Sequence, residues 1–468
     1  MKKNLEQYKR LIRYTFLFLL LLVQTSVFYF CWMSEYNELI ILPFVQKGNL
    51  LMAAYYLIIQ ALFLYNFDGL KIGHFKKEHL IISQILSIFG TNIMIYLPIC
   101  LLSARFVTVT PIVLLTIFDI IFSISMTSLS EFIFNRCFPA KRLLVIYDEY
   151  HPDTIVEKLN TRKDKFIVEK TANISLGVDE IKKLLDTVDG VVLFDVHSEM
   201  RNKIIKICFE RNIRAYSTSK ISDILIRGAE RVHLFDTPLL LYRNQSGSLS
   251  FGQRFVKRAM DIVVSLVLLI LASPFMLISA LAIKLYDGGP VFFKQKRSTL
   301  NGRVFTIHKF RSMIVDAEKD GNPIPATEAD PRITPVGKIL RLTRMDELPQ
   351  LIDILMGDMS LVGPRPERIE HTRKYTRDIP EFPCRLKVRG GLTGLAQLYG
   401  KYNTTPYDKL QLDLMYIQQY SLWLDIRLLF MTLKVIFIKE STEGFTEEKS
   451  KIIQTEEINL EVNNNEKN

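Results

Sequence analysis

Apolar residues are concentrated in four long stretches in the first third of the chain, roughly Tyr14–Trp32, Leu50–Leu64, Leu80–Leu102 and Phe106–Met126. Crossing a hydrocarbon core of ~30 Å takes about 20 helical residues, so each stretch predicts a membrane span, the second being the shortest. The first has no small-residue cleavage site and further spans follow it, which reads against a cleaved signal peptide. Short-loop cations set the orientation. Lys2, Lys3, Lys9, Arg10 and Arg13 precede span one, only Lys47 follows it, and Lys71, Lys76 and Lys77 follow span two. Arg105 alone lies between spans three and four, and Arg136, Lys141 and Arg142 come after. The expected order is in, out, in, out, in. Asp119 is the acidic residue within a span, a buried polar contact or a group facing a neighbouring helix.

The pattern then changes. Leu143–Tyr147, Val191–Phe194 and Ile213–Ser217 read as short strands, and Thr154–Leu159 and Arg201–Glu210 as helices. This alternation predicts a parallel, Rossmann-like α/β domain over residues 139–236. Its first strand-to-helix turn, Tyr147 to Pro152, contains no glycine, which reads against a dinucleotide pyrophosphate site. Tyr216 and Lys220 have the Y-x-x-x-K spacing of a redox motif, but Tyr216 falls at a strand end rather than on a helix face. The polar segment Asn244–Ser250 reads as part of a linker, assigned to residues 237–251.

A fifth apolar stretch, Met260–Ile283, has Ser273-Pro274 at its centre and cations on both flanks: Arg254, Lys257 and Arg258 before it, Lys284, Lys294, Lys296 and Arg297 after. Proline removes a helix hydrogen bond and clashes with the carbonyl four residues earlier. Basic flanks on both sides predict a re-entrant hairpin, with a kinked span as the alternative. Beyond it lie Thr306 to Met313 (T-I-H-K-F-R-S-M), Arg341 to Asp353 (R-L-T-R-M-D-E-L-P-Q-L-I-D), Met359 to Glu367 (M-S-L-V-G-P-R-P-E) and a glycine-rich run at Val388 to Gly394. Adjacent carboxylates among arginines suit phosphoryl transfer: one carboxylate can attack phosphorus while guanidiniums and a divalent ion hold diphosphate charge. Asp and Glu in a first helical turn are also common for dipole reasons alone. Leu414–Ile438 reads as an interfacial helix around Tyr420 and Trp423, with core packing as the alternative, and residues 441–468 as a disordered tail.

Composition narrows the classes. The chain has 468 residues, a formal charge of +11, 49% hydrophobic residues and a mean hydropathy of +0.15. That excludes a disordered or fibrous chain. The positive charge sits around the apolar segments, which points to a lipid bilayer and not to nucleic acid. Five scattered cysteines without a C-x-x-C pair read against a thiolate metal site.

From about Arg254 to Phe437 the sequence resembles the bacterial sugar transferases, the polyprenyl-phosphate hexose-1-phosphate transferases. The resemblance rests on R-F-V-K-R-A-M-D-I, the Ser273-Pro274 break, K-F-R-S-M, D-E-L-P-Q-L-I-D and S-L-V-G-P-R-P-E in this order. Four spans, a Rossmann-like domain and a mainly α, monotopic catalytic domain (residues 252–440) resemble the large members. The resemblance implies a bacterial cytoplasmic-membrane enzyme with its catalytic domain on the cytoplasmic face. Its substrates would be a UDP-sugar, with glucose the expected hexose, and undecaprenyl phosphate. It implies Mg2+ as cofactor, held in part by Asp346, and leaves room for a homo-oligomer. Asp346 would be the nucleophile and Glu347 its helper, with Lys309, Arg311, Arg341, Arg344 and Arg365 as substrate-binding cations. His308 departs from the family, where tyrosine is usual. The alternative is a non-catalytic scaffold or regulator of polysaccharide assembly.

Overall fold

The computed structural model describes residues 6–242, 250–315, 317, 330–400 and 404–436, and the chain divides into two compact units, Met1–Lys220 and Ile221–Asn468. The expected tail and residues 243–249 of the expected linker lie outside the described residues, and residues 237–241 of that linker form a strand.

In the first unit the apolar stretches form α1 (Lys9–Cys31), α2 (Gln46–Asn66), α3 (Lys77–Ser103) and α4 (Thr110–Cys137), each long and apolar enough to cross a membrane. Their outward faces are apolar, with Phe18, Ile58, Ile93 and Leu114 all about 62–63% exposed. Their shared interior sets buried polar side chains among apolar ones such as Phe28, Trp32, Ile95 and Ile99. Tyr56 Oη donates to Asp119 Oδ2 (3.0 Å), Gln60 Nε2 to Gln24 Oε1 (3.1 Å), and Ser123 and Thr127 donate to Gln84 Oε1 (2.8 and 2.7 Å). Asp119 is therefore a buried contact between helices, as polar groups at membrane depth must be.

A four-stranded parallel sheet follows, ordered β2-β1-β3-β4, from β1 (Lys141–Tyr147), β2 (Phe166–Asn173), β3 (Gly190–Phe194) and β4 (Arg214–Ser217). The helices α5 (Asp153–Asn160), α6 (Val178–Leu185) and α7 (Ser198–Glu210) connect them. The two central strands are continuous apolar runs buried on both faces, at Leu143–Ile146 and Val191–Leu193. The sequence pattern omits α6 (Val178–Leu185) and β2, an edge strand of exposed charges.

The second unit opens with α8 (Ile221–Arg227) and an exposed hairpin, β5 (Glu230–Leu234) and β6 (Thr237–Leu241). Residues 221–236 were expected in the α/β domain, yet Ile224 is buried in the core of this unit beside Leu410 and Leu414. Helix α9 (Phe251–Asp287) contains both Ser273 and Pro274, with helical backbone throughout. It precedes the hairpin β7 (Phe292–Ser298) and β8 (Val304–Phe310), then α10 (Pro335–Leu342) and α11 (Gln350–Met356). Strands β9 (Ser360–Val362) and β10 (Gly391–Thr393) pair in parallel around α12 (Ile369–Asp378). The described part ends with α13 (Leu395–Tyr399), α14 (Pro406–Gln418) and α15 (Leu422–Ile436).

The single interfacial helix expected over Leu414–Ile438 is thus two helices. Ser421 breaks it, its hydroxyl capping the Leu424 amide (3.2 Å). Leu414, Tyr416, Ile417 and Leu428 are core residues, so the packing alternative is the one found there.

Candidate active site

Helix α10 begins where Thr334 Oγ1 accepts from the Gly337 amide (2.9 Å), with Pro335 in its first turn. Gly337 lies against the segment that follows β8 so tightly that a β-carbon there would sit 2.0 Å from the Ser312 carbonyl oxygen. One turn later Arg341 Nε donates to Ser312 Oγ (2.9 Å). The helix ends at Leu342; Arg344, two residues on, is exposed and left-handed (φ 58°), and the chain turns into a 3-10 turn, Met345–Glu347. Three residues per turn send neighbouring side chains in different directions. Asp346 and Glu347 accordingly have different surroundings.

Glu347 is pinned. Lys309 Nζ donates to its Oε1 at 2.9 Å, and the Arg365 guanidinium donates to the same carboxylate. Burial alone would raise the Glu347 carboxyl, but Arg365 and Lys309 outweigh it and hold it well below the usual range. Burial lowers Lys309, opposed chiefly by Glu347. Asp346 differs: among the described residues nothing donates a hydrogen bond to its carboxylate. Burial first, and Glu347 second, raise its carboxyl above the usual range, against the pull of Lys309, Arg341 and Arg365.

Two rigid supports aim the cations. Lys309 lies on β8 next to His308, whose backbone amide and Nδ1 both contact the buried Asp353 of α11 (2.9 and 2.6 Å). His308 is thus a strut between β8 and α11. Arg365 sits between Pro364 and Pro366 on the loop after β9. That loop lies so close to β10 that a β-carbon on Gly363 would be 2.3 Å from the Arg389 carbonyl oxygen. Its carbonyls are held one by one: Val362 by Lys257 (3.3 Å) and Tyr416 (3.1 Å), Arg365 by Arg385 (2.9 Å), and Pro366 by Arg297 (3.0 Å). Arg385 is itself fixed by Asp413 (2.8 Å), and Lys257 by Asp425 (2.6 Å), both pairs buried. The Glu367 carboxylate takes Lys409 (2.9 Å).

The structure therefore brings Lys309, Arg365, Asp346 and Glu347 together, with Arg341 close enough to act on Asp346 electrostatically. The Arg311 guanidinium is engaged elsewhere, by the Asp287 carboxylate (Nη1 to Oδ2 2.6 Å) and the Pro290 carbonyl (2.7 Å). Ser273 Oγ donates to the Ile270 carbonyl (2.8 Å), the acceptor that Pro274 leaves without its helical donor. Arg385, Asp413, Lys257 and Asp425 were not picked out from the sequence as a group. Each carries ordinary charge at helical spacing, and its pairing partner lies 28 or 168 residues away.

Among the described residues no three His, Cys, Asp or Glu side chains gather as a protein-only metal cage. That donor set still suits Mg2+, which keeps several waters and commonly takes one or two carboxylates plus substrate phosphates. With Glu347 occupied, Asp346 has the open carboxylate.

The bacterial sugar transferase family model matches residues 252–439, which contain all of these motifs. The chain is similar to the UDP-glucose:undecaprenyl-phosphate glucose-1-phosphate transferase of Klebsiella pneumoniae, 37% identical over 270 residues, covering 56% of each chain. It is similar to the UDP-N-acetylgalactosamine-undecaprenyl-phosphate N-acetylgalactosaminephosphotransferase of Aeromonas hydrophila, 38% identical over 269 residues, 54% of this chain and 62% of that one. A UDP-glucose:undecaprenyl-phosphate glucose-1-phosphate transferase of Caulobacter vibrioides is 43% identical over 182 residues, 38% of this chain and 67% of that one. The matches with the first two span 56% and 62% of those relatives. With the motifs in order and the carboxylate pair set among its cations, the chain belongs to the bacterial sugar transferase family.

Proposed function

We propose that the protein transfers a sugar-1-phosphate from a UDP-hexose to undecaprenyl phosphate, the first membrane step in building a bacterial surface polysaccharide. The observation that carries this reading is the division of labour between adjacent carboxylates: Glu347 is neutralised by Lys309 and Arg365, while Asp346 accepts no hydrogen bond among the described residues. In the first step an Asp346 oxygen attacks the sugar-bearing phosphorus. The bond from that phosphorus to the bridging oxygen breaks, and UMP leaves with the electron pair. The product on the enzyme is a sugar phosphate joined to the Asp346 carboxyl. In the second step an oxygen of the lipid phosphate attacks the same phosphorus, restoring the Asp346 carboxylate and giving the lipid diphosphate sugar. Lys309, Arg365 and Arg341 hold phosphate charge through both steps, with Arg344 at the rim. Glu347 is the counter-ion that keeps Lys309 and Arg365 aimed. Asp346 and the donor diphosphate would hold Mg2+, which supplies further neutralisation of phosphate charge. The names of the relatives include both glucose and N-acetylgalactosamine donors, so the reading is a UDP-hexose with glucose first.

The same reading places the catalytic domain on the cytoplasmic face, with α9 entering and leaving the bilayer on that side. Straight, α9 would be about 55 Å long. What supports a bend is that both of its ends pack on one domain. Arg258 bonds the Ile354 and Leu355 carbonyls of α11 (2.7 and 2.8 Å), Asp261 bonds Ser360 of β9 (2.8 Å), and at the far end Asp287 pairs with Arg311 beside β8. Ile283 packs against Phe310 and Leu340. The α/β domain, which lacks a glycine turn, is read as Rossmann-like and accessory. The test is UMP release by the purified protein across a panel of UDP-sugars. UMP release beyond one equivalent per enzyme that requires undecaprenyl phosphate and one UDP-hexose supports the reading, and no release with any donor overturns it.

A further inference from the structure

Three separate segments of the first unit carry cations to one end of the helix bundle: Lys9 and Arg13 at the start of α1, Lys71 and His74 in the α2–α3 loop, and Arg162 and Lys165 in the α5–β2 loop. Arg162 Nη1 donates to the His74 carbonyl (2.9 Å), and Lys165 Nζ donates to the same oxygen. Two cations thus converge on one neutral acceptor. The crowding registers on both partners: burial, then Arg162, lowers Lys165 to about 8, and burial, then Arg13 and Lys165, lowers His74 to about 4.

The loop is fixed against relieving this repulsion. Ile72 is 2% exposed, packed with Phe16, Leu17, Leu80 and Phe134, and Gly73 (φ +72°) lies so close that a β-carbon would be 2.9 Å from the Phe134 ring. The nearby acids are engaged: Asp164 takes Arg162 (2.9 and 2.8 Å) and Asp68 takes Lys71 (3.1 Å), while Glu131 contributes a further negative charge toward Arg162. Among the described residues Lys165 has no carboxylate within ion-pair distance. Arg13 has no hydrogen-bond acceptor there, and its Nε is closed off from solvent.

We propose that this cluster binds the phosphate of an anionic membrane lipid, with Arg13 and Lys165 as its principal donors. A phosphate would supply the missing acceptor for Arg13 and add to the counter-charge that Asp164, bonded to Arg162, gives Lys165 at longer range. A lipid is favoured over free phosphate because the site adjoins bilayer-facing surface. Tyr14 and Phe18, within the next turns of α1, are 64% and 63% exposed, and Lys9 Nζ lies 5.2 Å over the Phe138 ring just beyond α4.

The test is native mass spectrometry of the full chain in neutral detergent, titrated with phosphatidylglycerol, phosphatidylcholine or inorganic phosphate. One tight phosphatidylglycerol is expected, without a phosphatidylcholine equivalent. Arg13→Gln with Lys165→Gln should weaken it roughly 30-fold, five- to sixfold per cation removed. Lys165→Arg should retain it, which separates lost charge from lost fold. The double variant should still release UMP in detergent, since both residues lie outside the unit with the transfer motifs. Equal binding of phosphatidylcholine, or undiminished phosphatidylglycerol on the double variant, overturns the proposal. Displacement of phosphatidylglycerol by inorganic phosphate at comparable concentration overturns the assignment to a lipid.

Discussion

Replacing Glu347 with glutamine keeps the shape of the side chain and removes the charge that Lys309 (2.9 Å) and Arg365 share. An amide oxygen still accepts one hydrogen bond, so what is lost is the ionic part of two contacts. Hydrogen bonds to charged groups contribute about 1.5–3 kcal/mol, and losing one partner of a buried pair costs about 3–5 kcal/mol. Because Lys309 and Arg365 are respectively 19% and 35% exposed, the lower end applies, about 3 kcal/mol. Loosening of both cations at the phosphate by that amount lowers turnover on the order of 100-fold. The pH profile should move as well. Transfer needs Asp346 ionised, so activity is lost as pH falls through its raised pKa. Glu347 is the neighbour that raises it, so the acid limb should shift to lower pH in the variant. Transfer also needs Lys309 charged, so activity is lost as pH rises through its lowered pKa. Glu347 opposes that lowering, so the basic limb should shift down too. The assay is UMP release under saturating donor and lipid between pH 5 and 10. Turnover within threefold of the parent, or limbs that stay in place, would refute the counter-ion role.

Arg385→Met should destabilise the protein by about 3–5 kcal/mol, because it strands the buried Asp413, and Arg385→Met with Asp413→Leu should recover much of that, checked by denaturant unfolding in detergent. Glu367 is held at about 2: burial opposes the shift, and Lys409 and Arg385 overcome it. Its contribution to stability is present above the usual glutamate range and lost as pH falls towards about 2, so Glu367→Gln should flatten the parent's decline in melting temperature between pH 5 and 2.5. Single cysteines at Arg254 and Lys294, in a cysteine-free background, should both resist an impermeant reagent in intact cells. Labelling of Lys294→Cys alone from outside would make α9 a span and remove the cytoplasmic donor route.

The parts legible in the sequence are those set by local pattern. Apolar runs of about 20 residues located the four bundle helices, and the double-sided burial of β1 and β3 showed as unbroken Leu143–Ile146 and Val191–Leu193. Edge strand β2 carries Glu169 and Lys170 and has no such signal. The break at Ser421 escaped because Leu422 to Ile436 continues the apolar character of α14, while the reason for the break is long-range: Asp425 must reach Lys257 and Tyr416. The motifs named Lys309, Asp346, Glu347 and Arg365 among the candidates, and the fold brings these four together. Spacing carried no sign that Glu347 and not Asp346 would be the paired carboxylate, because that depends on a left-handed Arg344 and a 3-10 turn. Nor did it distinguish Arg311, whose partner Asp287 ends the long apolar helix.

The central claim is that Asp346 becomes covalently phosphorylated by the sugar phosphate. Its most direct test is to mix the purified protein with the UDP-hexose it accepts, without undecaprenyl phosphate, quench in acid and map peptides by mass spectrometry. One hexose phosphate is expected on the peptide containing Asp346, lost on adding undecaprenyl phosphate and absent from Asp346→Asn, which should also lack turnover. An unmodified Asp346 peptide alongside normal lipid-dependent UMP release, or substantial turnover by Asp346→Asn, would contradict the account.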